Sequence, residues 1–63
     1  MMTVDFLANA FNNYKNRGYG DYTVCVEPKG NNVFRLVLTK SQKQGHHKIE
    51  GFDIECHNYK EDN

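Results

Sequence analysis

The feature that most constrains this chain is a strict alternation of apolar residues through its middle. Tyr22, Val24 and Val26 alternate with Thr23, Cys25 and Glu27, and then Phe34, Leu36 and Leu38 alternate with Val33, Arg35, Val37 and Thr39. A period of two is the mark of a strand with one buried face. Between the two runs stands Pro28-Lys29-Gly30-Asn31-Asn32. Proline presets one backbone dihedral there, while glycine and asparagine tolerate positive φ, so the segment reads as a turn. Pairing Val26 with Phe34 and Val24 with Leu36 places both apolar sets on one side of a hairpin. Such a hairpin needs something to cover that side.

The cover comes from the first residues. Val4, Leu7, Ala8, Phe11 and Tyr14 recur at three- and four-residue spacing, which predicts a helix over about residues 3–17 with these side chains inward. Thr3 is suited to cap it, and Asp5 places a negative charge at the positive end of the helix dipole. Gly18 follows as the residue that ends the helix in a left-handed conformation. Asn9, Asn12, Asn13 and Asn16 fall on the back, where amides meet solvent or a partner.

After the hairpin, residues 40–46 read as a polar loop, and a third strand spans about residues 47–58 with Phe52, Ile54 and Cys56 inward. Ile49 has the opposite parity, so either a bulge at Glu50-Gly51 turns it inward or it faces out on the second side of the sheet. The expectation is one small α+β domain over residues 1–63, with an N-terminal helix packed on one face of a three-stranded antiparallel meander (α-β-β-β) and a frayed tail at 60–63. That order resembles the first four elements of a double-stranded RNA-binding domain, a family whose lysines bridge phosphates across a groove. The resemblance covers element order alone, and no lysine-rich second helix follows here. It implies nucleic acid as a class of partner and assigns no residue.

Composition sets the outer limits. A chain of 63 residues supports one core and no second domain. No apolar run reaches the roughly 20 residues that cross a bilayer, and no apolar leader opens the chain, so the expected setting is the cytoplasm, with no membrane partner. Two cysteines do not make a disulfide framework. Cys25 and Cys56 fall on non-adjacent strands and opposite faces, which predicts free thiols.

Catalytic equipment is sparse. Cys25, His46, His47, Cys56 and His57 are the candidate metal ligands, but none forms a ligand pair at the usual spacing of structural zinc sites. Ser41 is the only serine and has no acid at fixed spacing. Gly18-Tyr19-Gly20 is no phosphate-binding loop. The expectation is a non-enzymatic protein with no cofactor and no metal.

Charge says more by its arrangement than by its sum. Eight basic residues balance eight acidic ones, yet residues 29–48 carry Lys29, Arg35, Lys40, Lys43 and Lys48 with no acid. The flanking segments carry the compensating acids, among them Glu50, Asp53 and Glu55. Two candidate surfaces follow. The sheet face away from the helix shows Cys25, Val33, Arg35 and Val37 as a partner-binding patch, with Arg35 opposite Asp53. Lys29, Lys40, Lys43, His46, His47 and Lys48 form a basic group for an anionic partner. The leading expectation is a protein-binding module, an adaptor or inhibitor in the style of phage and mobile-element accessory proteins, meeting another protein or a second copy of itself. The alternative is a small nucleic-acid binder using loop 40–48, with Tyr19 or Tyr59 stacking on bases.

Overall fold

The computed structural model describes residues 2–57. Helix α1 (Val4–Tyr14) is followed by strands β1 (Thr23–Gly30), β2 (Val33–Gln42) and β3 (Gly45–Glu55) in an antiparallel sheet of order β1-β2-β3. The expected α-β-β-β meander is the observed fold. The expectations placed on Asn58 and Tyr59 and on the tail at 60–63 lie outside the described residues.

Thr3 caps α1 as its chemistry suggests, its hydroxyl accepting from the Phe6 N–H at 3.1 Å. The chain then widens into a single π-helical turn, Lys15–Tyr19, broken by Gly18 at φ 96°. Only glycine adopts that conformation without strain. The inward face is rotated from the one the spacing suggests. Leu7, Ala10 and Tyr14 are half-buried, whereas Val4 is 82% exposed and Ala8 faces solvent. Two contacts decide this rotation. Phe6 meets Phe52 of β3 edge-to-face with ring centroids 5.4 Å apart, and Tyr14 lies over Gly51, where a Cβ would come within 2.7 Å of its hydroxyl.

The first hairpin keeps the expected faces but not the expected register. Val26 pairs with Leu36 and Val24 with Leu38, two residues further along β2 than the turn composition suggests. The shift is even, so every side chain stays on its side. Its cause is the turn, which narrows to Asn31-Asn32 with Asn32 at φ 58°, while β1 continues through Pro28 to Gly30 with an irregularity at Lys29. Proline is tolerated because β1 is an edge strand.

The expected loop at 40–46 is mostly strand. Ser41 pairs with His46 and Lys40 with His47, and Gly45 at φ 110° lets Lys43-Gln44 close the turn. Further down, the bulge that turns Ile49 inward is present, one residue later than expected. Arg35 pairs with Asp53 and Val37 with Glu50, so Gly51 and Phe52 together oppose Leu36. Ile49 thereby pairs with Leu38 on the helix side.

The core is the centre of β2. Leu36, Val37 and Leu38 are each 2% exposed. Three consecutive buried residues in a strand mean that both faces are covered. Helix α1 covers Leu36 and Leu38; what covers Val37 is the business of the other face.

Candidate functional site

The face away from the helix is roofed by charge. Arg35 Nε donates to Asp53 Oδ1 at 2.9 Å, and its guanidinium lies 3.8 Å from Glu50. Lys48 Nζ sits 2.6 Å from Glu27 Oε1 and 4.0 Å from Glu50, and Lys29 lies 3.8 Å from the other Glu27 oxygen. The bulge builds this arrangement, because turning both Gly51 and Phe52 helixward leaves Glu50 and Asp53 flanking one arginine. The aliphatic stems of such long side chains lie along apolar surface while their charges stay in water. Val37 is buried beneath them.

The electrostatics follow from these contacts. The Arg35 hydrogen bond holds the Asp53 carboxyl below the ordinary carboxylate range, and Lys48 does the same for Glu27. In return Asp53 raises the Arg35 guanidinium, and Glu27 raises the Lys48 ammonium.

The four residues expected to form a partner-binding patch are gathered on this face, but they do not make an open apolar one. Val37 is closed to a partner, Val33 and Arg35 are half-buried, and Cys25 is exposed, with its thiol 3.8 Å from the Thr39 hydroxyl. Both cysteines are free thiols.

The basic group is divided between the two faces. Lys29 and Lys48 belong to the charged roof, while Lys40 is on the helix side, its ammonium 2.5 Å from Asp21 and 5.8 Å from the centroid of the Tyr22 ring. Asp21 raises the Lys40 ammonium and is itself lowered by it. His47 joins this cluster, its Nδ1 2.5 Å from the Tyr22 hydroxyl, and Tyr19 packs edge-on against Tyr22 at 5.1 Å. His46 lies 3.4 Å from the Ser41 hydroxyl. Lys43, in the turn, makes no ion pair among the described residues. Among the described residues no three His, Cys, Asp or Glu side chains converge on a point that a metal could occupy.

The surface that pattern reading missed is on the helix side of β1. Val24 is 52% exposed and Val26 54%, although their parity marks them as core. Phe11 is 36% exposed, and with Tyr14, Tyr19, Tyr22, Val24 and Leu38 it lines a shallow cavity of about 230 Å³. The signal for this exposure is present in element sizes. A helix is about 10 Å across and strands are about 4.8 Å apart, so one helix covers about two of three strands. Here α1 meets β3 at Phe52 and Gly51, while Val24 and Val26 of β1 stay about half exposed.

Comparison with known protein families, with curated proteins and with solved structures yields no match to this chain. Among the described residues no helix is long and apolar enough to cross a membrane.

Proposed function

We propose that this chain is a non-enzymatic protein-binding module that meets its partner through the helix side of β1. The observation that carries this reading is the pair Val24 and Val26, about half exposed on an edge strand, with Val24 lining a cavity together with Phe11. Apolar side chains grouped at the rim of a small core gain the most from a partner that removes them from water. An edge strand adds unpaired backbone groups that a protein partner can satisfy. The charged face opposite gives less support, since its cations and anions already satisfy one another. The nucleic-acid reading is weakened in the same way, because Lys29, Lys40 and Lys48 are each committed to a carboxylate.

The test is affinity capture from cells that express the chain, with and without nuclease, using wild type and the Val24→Asp/Val26→Asp variant. Proteins retained by wild type after nuclease and lost by the variant support the proposal. An identical set retained by both, with the variant folded by circular dichroism, overturns it.

A further inference from the structure

The sheet has two outer edges, and they are not alike. β3 carries Lys48, Glu50, Asp53 and Glu55 and is bent by the Gly51-Phe52 bulge. Charge and bulges of this kind hinder edge-to-edge pairing. β1 opens with Thr23-Val24-Cys25-Val26, a straight uncharged run, and pairs only with β2 among the described residues. Glu27, Pro28, Lys29 and the irregularity beside them guard the far end of β1, but this four-residue run is unguarded and is a template for another strand.

The residues of β1 also state which strand would fit. Around Cys25 the chemistry is nearly palindromic. In an antiparallel pairing of β1 with itself, Cys25 faces its own copy, Val24 faces the second copy's Val26, and Thr23 faces the second copy's Glu27. Apolar meets apolar on the helix side, and hydroxyl meets carboxylate on the other. β1 begins at Thr23 and its register is irregular at Lys29, so the symmetric pairing spans Thr23–Glu27. Pro28 lacks an N–H, and so it limits the pairing at the end where it meets the second copy's Tyr22.

We infer that the partner at this site is a second copy of the chain, joined β1 to β1 in antiparallel fashion about Cys25. The inference rests on the proposed use of β1 as a protein-binding edge. A two-fold axis through Cys25 makes the sheet continuous and puts both helices on one side of it, an isologous arrangement that closes on itself. The four valines then form one strip, in which each valine takes part of its neighbour's apolar surface out of water.

Sedimentation and light scattering of the full chain over a wide concentration range test this directly. The expected result is a rise from 7.3 kDa to twice that mass. Cys25→Lys sets two like charges face to face on the axis and is expected to return the folded monomer; Cys56→Lys is expected to leave the dimer. Residues directly opposite in an antiparallel pair have Cβ atoms about 5 Å apart, close enough for mild oxidation with copper-phenanthroline to join them. The Cys56→Ser chain is expected to cross-link and the Cys25→Ser chain to remain single. A monomer at every concentration, a dimer unaffected by Cys25→Lys, or cross-linking that requires Cys56 overturns the inference. A monomer would leave the Val24/Val26 capture result standing, so the two failures are distinguishable.

Discussion

Gly51 shows how one missing side chain sets the tilt and depth of the helix. A Cβ there would lie 2.7 Å from the Tyr14 hydroxyl and 3.3 Å from a Leu36 methyl. Gly51→Ala is expected to destabilise the fold by about 1–3 kcal/mol through overpacking. Adding Tyr14→Phe removes the nearest atom and is expected to recover part of that loss, measured by urea unfolding of the single and double variants. Leu36, at 2% exposure, is the other sensitive position. Leu36→Ala is expected to cost about 2–5 kcal/mol, against a total stability on the order of 3–9 kcal/mol for a chain of this length. A large fraction of that variant should be unfolded at room temperature by circular dichroism. Val37→Asp belongs in the same class, because its carboxylate would be buried beneath the charged roof. It tests the core rather than a binding patch.

Among elements, the outward face of the sheet responds to pH, and so does the Asp21–Lys40 pair on the helix side. Asp53 and Glu27 have carboxyls lowered by Arg35 and Lys48. A group lowered in the folded state contributes stability that is fully present above its unfolded pKa of about 4 and is lost as pH falls through the folded value. The raised Lys48 and Arg35 groups act in the other direction. Their contribution is present below the unfolded values and lost only as pH rises through the folded ones, so it persists past about pH 10. The expected Tm is therefore level from about pH 6 to 9 and falls toward about pH 3. Arg35→Gln removes the main cause of the Asp53 shift and should flatten the acid limb; an unchanged limb would remove Arg35 from the account. Salt should lower the plateau for wild type more than for Arg35→Gln, since exposed pairs are screened.

For the whole molecule, the deciding quantity is how much apolar surface one short helix can cover. Three buried side chains among the described residues are a small core, and the exposed valines of β1 are its unfinished margin. If a second copy completes that margin, Tm should rise with protein concentration, because association stabilises the folded state by mass action. Val24→Asp should abolish the concentration dependence while leaving the dilute Tm close to that of wild type, as read by calorimetry at two concentrations.

Local pattern was enough for the elements and their order. The helix cap at Thr3, the left-handed Gly18, the hairpin faces and the Arg35–Asp53 pair depend on interactions near in sequence or on strand parity, which the residues encode directly, whereas the inward turn of Ile49 was left open by parity and decided by the bulge opposite Leu36. Register and coverage were not local. The two-residue slip of the first hairpin arose from a tighter turn that preserves the same faces, so parity could not detect it. The rotation of α1 depended on Phe52 and Gly51, some forty residues away along the chain. Val37 is buried because a bulge gathers Glu50 and Asp53 around Arg35, and Val24 stays about half exposed while α1 meets β3 at Phe52 and Gly51. The sequence by itself determined the elements, their order and the faces of the first hairpin, while the side taken by Ile49 waited on the bulge and Cys56, expected inward, is exposed beyond the end of β3. Only the tertiary structure decided which faces are covered, because coverage depends on where finite elements lie against each other.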